Sequence, residues 1–261
     1  MSVIDDLVPL LKKLRLSGVL QSLELRMKNA VDDELSYEEF LYRLLGDEVE
    51  RRDAKQLGQR LRRANFEHAK TLEDFDFHFN PSIPKQKVLE LGTCAFVERK
   101  ESVLLLGQAG VGKSHIAQAL GHRACRAGFG VHYSAAGDLL RSLRAARGDG
   151  SYDRKLARFA NINLLIIDDL GLKPLADDEP LDLYEIIRLR YQRSATIVTS
   201  NRDVEELGVL FGDPLLASAA MDRLLHDAHV LRLEGDSFRN PPPKRRRGLS
   251  LIHISEPTRP Y

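Results

Sequence analysis

The sequence predicts an α/β protein: a parallel sheet flanked by helices, preceded by a small all-α region. Three observations carry that prediction. From residue 88 onward, short apolar runs alternate with helical stretches, the pattern of parallel strands joined by crossover helices. One of those runs feeds a glycine-rich loop that opens directly into a helix. Residues 1–70, by contrast, carry only the 3.6-residue apolar period of helices.

Composition narrows the function classes. The chain has 261 residues, 39 Lys+Arg against 38 Asp+Glu, and 2 Cys, Cys94 and Cys125. Two cysteines exclude a disulfide scaffold and fit a reducing compartment. No apolar run reaches the roughly 18 residues of a membrane span, and the acidic start reads as no signal peptide. The expectation is a cytoplasmic protein with no membrane partner.

The helical region comes first. Leu7, Leu10, Leu11 and Leu14 form one apolar stripe, and Leu20, Leu23 and Met27 repeat it, with Gly18 expected to separate the two segments. Ser36 and Glu39 have capping-box spacing, with Leu35 and Phe40 placed for a hydrophobic staple. The helix they start is expected to turn Phe40, Leu41, Leu44 and Leu45 inward and to reach about Ala64. Its first half is acidic. Residues 51–70 are basic, through Arg51, Arg52, Lys55, Arg60, Arg62, Arg63 and Lys70, which fits either a solvated face or a surface that contacts phosphates.

Phe75, Phe77 and Phe79 alternate just before Pro81 and Pro84, and mark the boundary with the next domain. They read either as an edge strand packed on the core or as the apolar lining of a purine pocket. Strands are expected at 103–106, 130–134, 164–168, 196–200 and 230–233, with helices at 114–126, 136–147 and 181–193. The predicted domains are thus a helical region over 1–70 and an α/β domain over 71–240. A Pro-rich basic tail follows over 241–249.

The chemistry concentrates at strand ends. Gly107, Gln108, Ala109, Gly110, Val111, Gly112, Lys113 and Ser114 fit the P-loop pattern G-x-x-x-x-G-K-[ST] between a strand and a helix. Its glycines let backbone N–H groups face phosphate oxygens, and the helix N-terminus adds its dipole. Lys113 then supplies charge to the β- and γ-phosphates of ATP, and the Ser114 hydroxyl is a ligand for Mg²⁺. The apolar run 164–167 delivers Asp168 to the carboxyl edge of the sheet, where it can hold Mg²⁺. Asp169 is placed to orient or deprotonate the attacking water. Asn201, after strand 196–200, offers an amide to the γ-phosphate or that water, although turn asparagines are common there. Arg223 and Arg239 are candidates to neutralise charge in phosphoryl transfer, or plain surface arginines. A second basic stretch, 141–158, contains Arg141, Arg144, Arg147, Arg154, Lys155 and Arg158, and reads as a DNA surface or an exposed helix end. The histidines and cysteines show no metal-ligand spacing.

Segments 14–25, 35–52, 71–84, the P-loop, 164–171, 199–202 and 222–239 together resemble one family, the IstB-like ATP-binding proteins, relatives of the helicase loader DnaC. The resemblance implies the AAA+ fold and a slow ATPase that helps an insertion-sequence transposase, binding DNA as a homo-oligomer. It implies Asn201 as a first sensor, Arg223 as an arginine finger and Arg239 as a second sensor. It also makes Asp168–Asp169 the acidic pair, with Asp where many AAA+ members carry Glu. Replicative helicase loaders share every ATPase motif, and a nucleotide-binding adaptor with negligible hydrolysis is a further alternative. Residues 250–261 match nothing in that family. They resemble the translation of a transposon-end sequencing adapter, and no function is expected of them.

Overall fold

The computed structural model describes residues 3–238. Three helices open the chain: α1 (Val3–Lys13), α2 (Ser17–Asp32) and α3 (Tyr37–Ala64). Two short helices follow, α4 (Lys85–Leu91) and α5 (Ala95–Glu98). The sheet region then runs β1 (Ser102–Leu106), α6 (Lys113–Arg126), β2 (Val131–Ala135), α7 (Ala136–Gly148), α8 (Tyr152–Asn161), β3 (Leu164–Leu170), α9 (Glu179–Arg190), β4 (Ala195–Ser200), α10 (Val204–Val209), α11 (Pro214–Leu225) and β5 (His229–Arg232). All five expected strands are present, each within a residue or two of its predicted bounds.

The strands pair in the order β2-β3-β4-β1-β5, all parallel. Their apolar side chains alternate between two cores, because a strand's side chains point to opposite faces in turn. Val103, Leu105, Ile166 and Ile197 face α6 and the end of α3, whereas Leu104, Leu106, Ile167 and Val198 face α7, α9 and α11. A sheet buried on both faces needs near-continuous apolar strands, and β1 (SVLLL) and β3 (LLIIDDL) supply them.

Between the layers, Arg190 is 2% exposed. It donates Nε to Thr196 Oγ1 at 2.9 Å, Nη1 to the Phe159 and Ile162 carbonyls, and Nη2 to that of Ala195. Burial pulls its pKa down to about 9, which leaves it charged at neutral pH. One guanidinium thus ties the ends of α8 and α9 to the start of β4.

The helical region departs from the predicted pattern in three ways. The break between the first two helices falls at residues 14–16, where Arg15 adopts φ 57°. Gly18 instead lies in the first turn of α2 because α3 passes there. A Cβ on Gly18 would sit 2.8 Å from the backbone Cα of Glu48. The buried Glu48 carboxylate accepts the backbone N–H groups of Gly18 and Val19, capping α2 from outside. Second, Leu41 and Leu45 point outward, 53% and 51% exposed, while Phe40 and Leu44 pack with Val19 and Leu23. Third, Leu10 and Leu14 of the first stripe are exposed too. Ser36 caps α3 as expected, its Oγ accepting the Glu39 N–H, while the Glu39 carboxylate takes Arg43 at 3.1 Å.

Residues 75–79 form an irregular stretch ending in a turn at 77–79 rather than an edge strand. The alternation arises from a folded aromatic cluster: the Phe75 ring meets Phe77, His115 and Phe238, and Phe79 stacks on Phe238 at 4.2 Å. No helix among the described residues is long and apolar enough to cross a membrane.

Candidate functional site

The carboxyl edge of a parallel sheet gathers loop backbone and strand-tip side chains, and here it gathers most of the predicted residues. The P-loop leaves β1 and enters α6 at Gly112, whose φ is 102°. A Cβ at Gly112 would lie 2.7 Å from the Phe75 ring, so the aromatic cluster is seated directly on the loop. The backbone N–H of Phe238 donates to the Gly110 carbonyl at 2.9 Å and holds the loop from its other side. Asn80 fixes that crossing segment with two hydrogen bonds, its Nδ2 donating to the Asp236 carbonyl and its Oδ1 accepting the Asp236 N–H, both at 2.9 Å.

Lys113 is 4% exposed. Its Nζ donates to the Gly107 and Gln108 carbonyls, both at 2.8 Å, and to Asn201 Oδ1 at 2.6 Å. The P-loop lysine and the β4 tip are therefore in direct contact.

Asp168 is equally buried, and both of its oxygens accept a hydrogen bond. Tyr133 OH donates to Oδ2 at 2.6 Å, and Thr199 Oγ1 donates to Oδ1. Burial and the neighbouring carboxylate push the Tyr133 phenol far above its ordinary pKa, so it stays a donor throughout the physiological range. The next residue, Asp169, takes φ 55° where the β3–β4 register shifts, and its N–H donates to Thr199 Oγ1 at 2.9 Å. Asp tolerates this left-handed conformation better than most residues, and it re-aims the side chain at the strand end. Strand β4 is thus the bridge of the site: Thr199 reaches Asp168 and Asn201 reaches Lys113. A cleft of about 410 Å³ opens beside it, lined by Gly107, Gln108, Asn201, Arg202 and Arg232 among others. Sequence reasoning missed Tyr133 and Thr199. Each lies within a strand, and its partner Asp168 is more than 30 residues away in the chain.

Arg223 is elsewhere. It lies near the opposite edge of the sheet, where its Nη1 donates to the Ala219 carbonyl at 2.7 Å and its guanidinium sits over the Tyr184 ring. It borders a second cavity of about 220 Å³ with Arg99, Arg190 and His226. Arg239, like the predicted tail segments 241–249 and 250–261, lies outside the described residues.

An IstB-like ATP-binding family model matches residues 9–246. The chain belongs to the IstB-like ATP-binding family. A relative in Pseudomonas aeruginosa, described as an ATP-binding protein of insertion sequence IS21, is 37% identical over 234 residues, 90% of this chain and 88% of the relative. Among solved structures, DnaI matches with a TM-score of 0.54 at 20% identity, covering 64% of this chain and 89% of that one. The DnaC helicase loader matches with a TM-score of 0.50 at 21% identity, covering 57% and 88%. These likenesses show the AAA+ P-loop fold, which in this chain follows the helical region α1–α3.

The two basic segments differ. In 141–158, Arg141 pairs with Asp138, Arg144 with Asp177 and Glu179, and Arg147 with Asp178 and Asp182, so much of that charge is answered within the chain. In 51–70, Arg51 and Arg52 turn to Glu48, and Arg60 donates to the Cys125 carbonyl. None of these ion pairs involves Lys55, Arg62 or Arg63.

Proposed function

We propose that this chain is the ATP-dependent DNA-binding helper of an insertion-sequence transposase, assembling as a homo-oligomer with Mg-ATP and hydrolysing it slowly. The observation that carries the reading is the contact of three motifs at one sheet edge: Lys113 on Asn201, and Asp168 on Thr199 of the same strand. Family membership and insertion-sequence relatives support the biological setting.

In this reading Lys113 and the backbone of residues 107–112 bind the β- and γ-phosphates, and Asn201 lies within reach of the γ-phosphate. Ser114 and Asp168 are hard oxygen donors, the chemistry that suits Mg²⁺ sharing its shell with phosphates and water. Bound there, Mg²⁺ neutralises charge developing on the phosphates. Asp169 orients the attacking water. It is one methylene shorter than the Glu of many AAA+ members, so turnover stays below about 1 s⁻¹. Arg223, remote from the P-loop of its own chain, acts on the nucleotide of an adjacent copy. Arg239 is assigned to the phosphates by resemblance alone. Exposed Tyr37, Leu41, Leu45 and Val49 on α3 favour association over a solitary chain.

DNA is held mainly through phosphates by the basic half of α3, with 141–158 contributing less because Arg141, Arg144 and Arg147 are paired with carboxylates of the same chain. Retention therefore weakens steeply between about 50 and 200 mM salt. Lys113→Ala is expected to weaken binding of a fluorescent ATP analogue by more than about 100-fold and to abolish ATP-dependent retention on DNA. An unchanged affinity would overturn the assignment. Co-purification with the transposase of its own element, rather than with a replicative helicase, separates this reading from a helicase loader.

A further inference from the structure

We propose that Tyr133 is a positioning residue for the Mg²⁺-binding carboxylate, holding Asp168 through its phenol while the end of α3 holds the phenol in place. The inference rests on the Mg-ATP reading above and deepens it.

A buried carboxylate on a strand tip can turn about its Cβ–Cγ bond, and only some orientations present a lone pair to a cation. Here both oxygens are restrained, Oδ2 by Tyr133 OH at 2.6 Å and Oδ1 by Thr199 Oγ1. Both donors are hydroxyls, so they orient the carboxylate without bringing a competing positive charge. Tyr133 is 2% exposed on β2, in register with Ile166 of β3, and its hydroxyl reaches along the sheet to Asp168 two residues on. A phenol is long enough for that reach, whereas Ser or Thr at residue 133 falls short by the depth of a ring.

The ring is itself braced by residues just beyond α3. Phe66 packs against it with ring centroids 6.3 Å apart, and Asn65, in the left-handed α3 cap, donates Nδ2 to the Tyr133 carbonyl at 3.5 Å. Phe66 also lies against α6, where a Cβ on Gly121 would meet its ring at 2.8 Å. The helix carrying the basic face therefore ends on the residue that orients the metal ligand.

The test is Tyr133→Phe, which keeps the ring and removes one hydroxyl. Nucleotide binding is followed with a fluorescent ATP analogue across a Mg²⁺ titration, with Asp168→Asn in parallel. Tyr133→Phe is expected to raise the Mg²⁺ midpoint about 10-fold while leaving analogue affinity without Mg²⁺ unchanged. A purely structural role would weaken both alike. A rise below 3-fold, or an equal loss without Mg²⁺, overturns the proposal, and 3-fold or more with Mg²⁺-free affinity intact supports it. Asp168→Asn isolates the underlying assignment: if it leaves the Mg²⁺ dependence intact, the Mg-ATP reading fails first. Should Tyr133→Phe not fold, Phe66→Leu loosens the brace on the Tyr133 ring and is judged by the same thresholds.

Discussion

The helical region and the sheet region treat apolar surface in opposite ways. The sheet buries β1 almost completely and closes both faces with helices. The N-terminal helical region has a small core of its own, Val19, Leu23 and Leu44, and exposes Leu10, Leu14, Leu25, Val31, Tyr37, Leu41 and Leu45. The sheet region holds the two large cores, one of which also takes in the end of α3. The helical region holds its shape through a few polar devices, the Glu48 cap on α2 and the Arg26–Asp47 pair between α2 and α3. A small core with exposed leucines is the profile of a segment completed by contact with something else.

Three substitutions probe that contrast, in order of expected effect. Arg190→Ala strikes the sheet region, removing the donor for the carbonyls of Phe159, Ile162 and Ala195. It is expected to cost about 3 kcal/mol or more in denaturant unfolding, because several buried acceptors lose their partner at once. A loss below about 1 kcal/mol would mean that the layers are joined some other way. Gly18→Ala strikes only the helical region, forcing a methyl against the α3 backbone. An expected cost of about 1–3 kcal/mol should appear as earlier loss of helical signal with analogue binding retained. Simultaneous loss of both would erase the distinction between the regions.

Asp47→Asn is the mildest. Hydrogen bonds from Arg26 and then Ser22 hold the Asp47 carboxyl down at about 2, against an ordinary 3.8. A depressed folded-state pKa gives stability that is present above about pH 4 and lost as pH falls toward 2. The pair is partly exposed, so the variant should lose less than about 1 kcal/mol at neutral pH. Its difference from the parent should shrink as pH falls from about 4 and vanish below about pH 2. A difference independent of pH would assign the effect to packing instead.

What the sequence made legible follows the same division. Strands buried on both faces must be largely apolar, so β1 and the first four residues of β3 stand out, and the P-loop stands out because its spacing is dictated by phosphate geometry. In the helical region the apolar period identified helices but not which face turned inward, since Leu41 and Leu45 lie next to Phe40 and Leu44 and only tertiary packing decides between them. Gly18 looked like a break because sequence cannot show a helix passing 30 residues later. The three alternating phenylalanines imitated a strand because a tight aromatic cluster produces the same spacing. Tyr133 drew no reading within its strand, and Arg147 read as part of a DNA surface or an exposed helix end. Their partners, Asp168 and Asp182, are 35 residues away in each case.

The length of α3 has a mechanical consequence. At about 1.5 Å per residue, its 28 residues make a rod of roughly 42 Å. Its foot is bonded to the ATPase body by Arg60 and, just beyond the helix, by Asn65, while α1 and α2 ride on its far half. A rod clamped at one end acts as a pointer: a tilt of about 5° at the foot carries the tip through about 3 Å over the 35 Å or so beyond the clamp. A displacement too small to disturb Tyr133's neighbours is therefore a full side chain's width at Tyr37 and Leu41, where the exposed leucines wait.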